Sequence, residues 1–344
     1  MMRLAVLDQS TVVTGRTPAD SIRETLSLAQ HCEALGYARY WLAEHHNSEA
    51  VAGAAPEVLL GALAATTTTI RIGSAGIMLP HYSALKVAEQ FRVLEAIAPG
   101  RIDMGLGRAP GSDGLTAHAL NPNAAVAADH FPAQVRDLLA WVSGAKLVEK
   151  HPFGSVIAQP TGPGVPEAWI LGSSDYGAQV AAHFGLPYCF AHFITDGQGC
   201  AEAIALYREA FRPSERWQHP YASVCVWALA AASEAEADCH YSARALWRLS
   251  RDRGTFVAMP SPAEAAAHAW TEAELARADR TRSRAIVGTG AQVVSRLRAL
   301  ADEVGADEVA ILSTAHDPAA RRASYAHIAA AAGLAADRVA LAAE

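Results

Sequence analysis

The strongest constraint on this chain is an alternation in which short apolar runs are each followed by a stretch whose apolar residues fall at helical spacing. Arg3–Asp8 reads as a strand, and Thr17-Pro18-Ala19-Asp20 opens a helix, with Thr as cap, Pro at the first position and Asp in the first turn. Ile22, Leu26, Ala29 and Cys32 continue it until Gly36 closes it. The same unit recurs, with strands expected over 38–42, 70–78, 101–105, 168–172, 187–192, 221–231 and 308–312, which makes eight. Helices are expected over 56–67, on the face carrying Val87, Phe91, Leu94 and Ala98, around Val135–Val142, over 175–184 and around Val293–Leu300. Strands alternating with helices give a parallel sheet covered by helices. Eight unbroken repeats favour a closed (β/α)8 TIM barrel, an α/β fold, over an open doubly wound sheet.

Between the seventh and eighth strands lies a long insertion that includes the Arg-rich stretch "ARADRTRSR". A connection of that length reads either as a lid or as a structural excursion at the barrel rim. No low-complexity linker and no change of composition divides the chain, so one domain over 1–344 is expected.

Charge and cysteine content narrow the function classes. Against 35 acidic residues stand 28 basic ones, a net charge of -7 with no one-signed tail, which argues against a nucleic-acid binder. Five scattered cysteines without a C-x-x-C pair point to a reducing, cytoplasmic setting rather than a disulfide framework. The N-terminal stretch lacks the long apolar core of a signal peptide, and no apolar run reaches the roughly 18 residues of a membrane helix. No membrane partner is expected.

Active sites of such barrels lie at the C-terminal ends of the strands. Those ends carry Asp8-Gln9, Glu44-His45-His46, Ala75-Gly76, Gly105 to Arg108 and Gly172-Ser173-Ser174, all expected to face one pocket. In "MGLGRAPG" the glycines allow close backbone approach and Arg108 offers a planar cationic fork suited to phosphate. Pro110 and the loop after it exclude a Rossmann fingerprint, and a Gly-rich turn with Arg108 paired to a surface carboxylate is the plainer reading. Gly172-Ser173-Ser174 leaves a strand and enters a helix, where free N–H groups and hydroxyls suit an anion, although Ser174 could simply cap the helix.

Glu44, His45 and His46 could bind metal, shuttle protons or hold a cofactor. Zinc would need a third ligand, for which His81 and His192 are candidates, but no H-E-x-x-H pattern is present. Adjacent residues of a strand point to opposite faces, so only one of the two histidines should enter the pocket. Arg277, Arg280, Arg282 and Arg284 could grip an anion, or form a solvated face in a loop. Trp227, Trp247 and Trp270 read as packing.

Taken together, "YWLAEHHN", "IRIGSAGIMLPHYSALKVAEQFRVLEAIAPGRIDMGLGRAPGSD" and "WILGSSDYGAQVAAHFGLPYCFAHF" resemble the bacterial luciferase-like flavin-dependent monooxygenases, in order and spacing, over nearly the whole chain. The resemblance implies a barrel that binds FMN, supplied reduced by a separate NAD(P)H:flavin reductase, and that uses O2 to form a C4a-(hydro)peroxyflavin and oxidise a small organic substrate. By the same resemblance His45 assists the flavin intermediate, and Glu44 orients an imidazole or holds the strand end. Arg108, Ser173 and Ser174 fall in the phosphate-binding region, and Ala75-Gly76 falls where a non-prolyl cis peptide often lies under the flavin. Gly107 stands where light-emitting members carry a reactive cysteine, and Gly172 and Tyr176 replace polar residues near the phosphate, so light emission is not implied. The pattern is closer to the non-luminous, single-subunit branch. A homodimer through the helices beside strands two and three is the expected assembly. The alternatives are an F420-dependent oxidoreductase, whose acidic cofactor tail would need basic residues such as Arg277 to Arg284, and a non-catalytic FMN-binding protein.

Overall fold

In the computed structural model, which describes residues 2–334, strands and helices alternate from the N-terminus. The first half comprises β1 (Arg3–Asp8), α1 (Pro18–Leu35), β2 (Arg39–Leu42), α2 (Pro56–Thr66), β3 (Arg71–Met78), α3 (Ala84–Ile97) and β4 (Ile102–Gly107), followed by α4 (Gly114–Leu120), α5 (Ala124–Asp129) and α6 (Phe131–Ser143). The second half comprises β5 (Glu167–Gly172), α7 (Asp175–Phe184), β6 (Tyr188–Phe190), α8 (His192–Thr195), α9 (Cys200–Ala210) and β7 (Ala222–Ala231). An insertion of α10 (Glu234–Asp252), α11 (Pro262–Ala267), α12 (Glu272–Arg284) and β8 (Ile286–Thr289) leads to α13 (Gly290–Val304), β9 (Glu308–Leu312) and α14 (Pro318–Ala332).

All strand pairings are parallel, and the ring closes as β1 to β7 in order, then β9, then back to β1. The expected (β/α)8 barrel with an insertion before its last strand is therefore present. Its first unit starts as its residues dictate. Thr17 and Asp20 form a reciprocal capping box with Pro18 in the first turn, and Gly36 ends α1 at φ 90°.

Side-chain parity builds two layers. Even-numbered residues of β1, β2, β4 and β7, such as Val6, Tyr40, Met104 and Val226, pack outward under the helices. Odd-numbered Leu7, Trp41, Cys225 and Trp227 fill the barrel interior. At the N-terminal end of the barrel the filling is ionic. Buried Arg39 donates to Asp103 (2.9 and 3.0 Å), Glu167 (3.1 Å) and Glu308 (3.1 Å), and Arg71 joins it at Asp103.

The structure departs from the sequence expectations in several places: α9 and α10 were not anticipated, and the strand expected over 187–192 ends at Phe190, with His192 opening α8. Arg277 to Arg284 lie on a helix, not in a loop: Thr271 and Glu274 form a capping box that starts α12. Their solvated face is real, since Arg280 and Arg284 are exposed. The connection after β4 contains two short helices, α4 and α5, each too brief for a periodic signal. A ninth strand, β8, pairs with the end of the unusually long β7 (Ala228 to Ile286 through Ala231 to Thr289), and four residues between Arg284 and Gly290 carried no strand pattern. All five cysteines are free, and no helix among the described residues is long and apolar enough to cross a membrane.

Candidate active site

The odd-residue parity of β2 continues past its end and decides which imidazole enters the barrel. Trp41, Ala43 and His45 all line a cavity at the C-terminal mouth, whereas Glu44 and His46 turn the other way. Buried Glu44 accepts from the Tyr82 hydroxyl (2.7 Å) and the Met78 amide (3.0 Å), and its Oε1 lies 2.8 Å from Nε2 of His46. His46 packs edge-on to His81, whose Nε2 is 2.7 Å from the Pro110 carbonyl. Glu44 thus ties the ends of β2 and β3 together behind the cavity wall. Among the described residues no group of three or more His, Cys, Asp or Glu side chains is placed to hold a metal.

His45 is different. Its Nδ1 is buried with no hydrogen-bond partner among the described residues, and burial, followed by the neighbouring His46, lowers its pKa to about 4. At neutral pH the ring is therefore an uncharged imidazole facing the cavity, with one N–H and one lone pair to offer.

The floor of the cavity comes from β3 and β4. The Ala75–Gly76 peptide is cis, and the β3–β4 register shifts between Ser74 and Ile77 at the same place. A Cβ on Gly76 would lie 2.8 Å from the Gly105 carbonyl oxygen, and one on Gly105 would lie 2.1 Å from that of Ser74. Only glycine lets these two backbones approach so closely, and at Ala75–Gly76 the wall carries nothing larger than a methyl group.

Arg108, Ser173 and Ser174 line the same cavity, with Gly107 and Gly172 beside them. Among the described residues Arg108 has no carboxylate partner; its guanidinium carbon lies 3.9 Å from the centroid of the Tyr176 ring, which leaves its donors free at the mouth. Ser174 occupies the N-cap position of α7 without a side-chain cap bond, so its hydroxyl and the first amides of the helix remain available to an anion. The plainer readings, a surface ion pair for Arg108 and simple capping for Ser174, are not what the side chains do.

Not every strand end faces this cavity. Gln9 lines it, but Asp8 turns outward to Arg321 (2.7 Å), Tyr40 (2.6 Å) and Thr25 (2.7 Å). Lining residues that sequence reasoning passed over include Met78, Phe193 and Ile194. Parity along β3 could not have found Met78, because the register shift inverts it. A cavity with a wall largely of bare backbone, a part-buried neutral imidazole and an unpaired arginine beside a helix N-terminus suits a planar cofactor carrying a phosphate.

A sequence model described as luciferase-like monooxygenase matches residues 2–308. An Escherichia coli (strain K12) protein named luciferase-like monooxygenase is 39% identical over 323 residues, 93% of this chain and 94% of its own length. This chain belongs to the luciferase-like monooxygenase family. As a member it is an oxidoreductase of monooxygenase type. The N-acetyl-S-alkylcysteine monooxygenase of Bacillus subtilis is 43% identical over 211 residues, 61% of this chain and 62% of its own. Among solved structures, apo-MsnO8 superposes with a TM-score of 0.87 at 34% identity, covering 97% of this chain and 99% of that one. More distant neighbours share the fold alone. They include an FMN complex of the oxygenating constituent of 3,6-diketocamphane monooxygenase (17% identity, TM-score 0.68) and an F420-dependent secondary alcohol dehydrogenase (16%, 0.67), so the barrel by itself does not select between the two cofactors.

Proposed function

We propose that this family member binds reduced FMN, made by a separate NAD(P)H:flavin reductase, and with O2 oxygenates a small organic thioether. The observation that carries the reading is the pairing, in one cavity, of the unpaired Arg108 and uncapped Ser174 at the mouth with the orphaned imidazole of His45 inside. Arg108, Ser173, Ser174 and the α7 amides would hold the phosphate, and the Ala75–Gly76 and Gly107 backbone would lie against the ring. Bound reduced FMN supplies two electrons, so that one atom of O2 goes to the substrate and the other leaves as water. His45 donates or accepts one hydrogen bond where oxygen reacts, while the apolar walls formed by Trp41, Phe193 and Leu171 exclude water. Glu44 acts as a positioning residue, fixing the β2–β3 ends on which His45 and Met78 sit. The thioether is supported by the name of the Bacillus relative. Five free cysteines suit a reducing cytoplasm.

The deciding experiment mixes protein and reduced FMN with isotopically labelled O2 and N-acetyl-S-methylcysteine. One labelled oxygen atom per oxidised product supports the reading; hydrogen peroxide alone, with thioethers, aldehydes and alkanes all unchanged, refutes it. Arg108→Ala is expected to weaken FMN binding about ten- to a hundredfold, because one charge-assisted hydrogen bond contributes about 1.5–3 kcal/mol. Flavin fluorescence titration reads this directly, and an unaltered dissociation constant would remove Arg108 from the phosphate site. F420 is the competing cofactor, since Arg280 and Arg284 border a second cavity that could receive its acidic tail. Titrating FMN against F420 separates the two.

The proposed homodimer uses α2 and α3. Val58, Val93 and Ile97 are 68%, 46% and 51% exposed and line one groove between these helices. A charge buried in such an interface without a partner is costly. Ile97→Glu should therefore raise the dimer dissociation constant at least about tenfold in sedimentation velocity. An unchanged profile would place the interface elsewhere.

A further inference from the structure

Phe193 lines a second and larger cavity, of about 880 Å3, walled by the insertion on one side and by the α8–α9 segment and α13 on the other. Its size suits an organic molecule. Its charges divide by element: the acids Asp196, Glu202 and Glu303 come from the α8–α9 segment and α13, and the arginines from α10 and α12. Two of those arginines are already answered, Arg248 by Asp196 and Arg277 by Asp252, although Nε of Arg248 stays buried without a partner. Arg280 and Arg284 reach solvent.

Arg244 is neither paired nor exposed. Among the described residues it has no hydrogen bond and no ion pair; its guanidinium carbon lies 3.8 Å from the centroid of the Trp227 ring. That ring is fixed by its own Nε1, which donates to the Thr314 hydroxyl (2.9 Å), and by Tyr241 at 5.9 Å. Burial and the adjacent Arg248 make its charge costly, yet a guanidinium stays protonated at neutral pH. A part-buried cation held on an aromatic face with its donors unused is arranged for a ligand rather than for stability.

We propose that Arg244, laid on Trp227, recognises the carboxylate of the organic substrate; naming that molecule as substrate rests on the oxygenase reading above. Arg280 and Arg284 also line this cavity without an ion pair among the described residues, but they lie at its solvent edge. The single cation withdrawn from solvent and left unanswered is Arg244, which matches a monoanion, and its planar fork matches a carboxylate. The reach is right as well. Cys225, which lines the first cavity, and Trp227, which lines the second, are consecutive inward residues of β7 and therefore about 7 Å apart along the strand. A small molecule anchored at Arg244 can extend past Phe193 into the first cavity.

The test is calorimetric titration of the protein, with and without FMN, using N-acetyl-S-methylcysteine, hexanoate and benzoate, each against its uncharged carboxamide. At least one carboxylate should bind about ten- to a hundredfold tighter than its amide. Arg244→Gln should erase that preference and Arg244→Lys should keep part of it, with FMN affinity unchanged in both. Arg244→Gln should also melt no earlier than the parent, because it removes an uncompensated charge. The proposal is overturned if none of the three carboxylates binds below ~10 mM, or if the preference survives Arg244→Gln, whether or not that variant is less stable. Displacement of the carboxylate by F420 but not by a tail-less deazaflavin would also overturn it, by assigning Arg244 to a cofactor tail. Failure of the oxygenase reading looks different: carboxylate preference intact, with no labelled oxygen in the product.

Discussion

Arg39→Ala is expected to cost about 3–5 kcal/mol of stability, the usual consequence of removing one partner from a buried ion cluster. Arg39 is 3% exposed, and Asp103 and Glu308, to which it donates, are fully buried. Without the guanidinium, Glu308 keeps, among the described residues, the Tyr221 hydroxyl (2.9 Å), and Asp103 keeps Arg71 and the Trp41 indole N–H (2.9 Å). These residues come from three strands around the ring, Arg39 and Glu308 from β2 and β9 on either side of β1 and Asp103 from β4 beyond β3, so the loss is felt across much of the ring. Urea denaturation of Arg39→Ala measures it. Arg39→Met keeps the volume but not the charge and should lose nearly as much, whereas Arg39→Met with Asp103→Asn should recover part of the loss. Wild-type stability in Arg39→Met would show that the cluster is not what closes the N-terminal end of the barrel.

His45→Ala is expected to lower oxygenation about a hundred- to ten-thousandfold, the range for a positioned acid–base group, while FMN binding stays within a few-fold. Turnover at the parental rate would remove His45 from the chemistry. The same residue predicts a pH dependence of stability. Its pKa in the folded protein is about 4, below the ordinary imidazole value near 6.5. Between those values the unfolded chain binds more protons than the folded one, so stability rises with pH through this window and falls as pH drops from 6.5 to 4. Each unit of pKa difference is worth about 1.4 kcal/mol, which gives up to about 3 kcal/mol from this group. His45→Gln, which cannot titrate, should lose correspondingly less stability than the parent between pH 6.5 and 4. Parallel curves for the two proteins would mean that the imidazole is not buried as described.

The barrel was readable from the chain because it rests on local periodicities. β1, α7 and β9 begin and end where the apolar runs and the caps place them, since Thr17, Gly36 and Gly185 act through their own backbone neighbours. Parity along "YWLAEHHN" likewise anticipated that one histidine, not both, would face inward. The expectation that all five strand ends face one pocket held for His45, Arg108 and Ser173 but not for Asp8 or Glu44. Asp8 and Glu44 turn away because Arg321 and Tyr82, far along the chain, satisfy their carboxylates.

Short elements escaped for a related reason. β8 exists only as a partner for the overlong end of β7, and α12 was hidden behind a run of arginines whose helical propensity is good but whose apolar face is nearly absent. The Ala75–Gly76 cis peptide entered as an implication of family resemblance; no periodicity announces it.

The sequence by itself therefore determined the order and kind of the repeating units, the strand ends that carry chemistry, and the family, since each depends on neighbours a few residues apart or on motifs in fixed order. Only the tertiary structure decided that Arg108 stacks on Tyr176 instead of pairing with an acid, that Ser174 leaves its hydroxyl free, and that Arg244 lies unanswered on Trp227. Those outcomes depend on which distant side chains closure of the ring brings together, because hydrogen bonds need heavy atoms within about 3.5 Å and cation–π attraction needs the cation within about 6 Å of the ring.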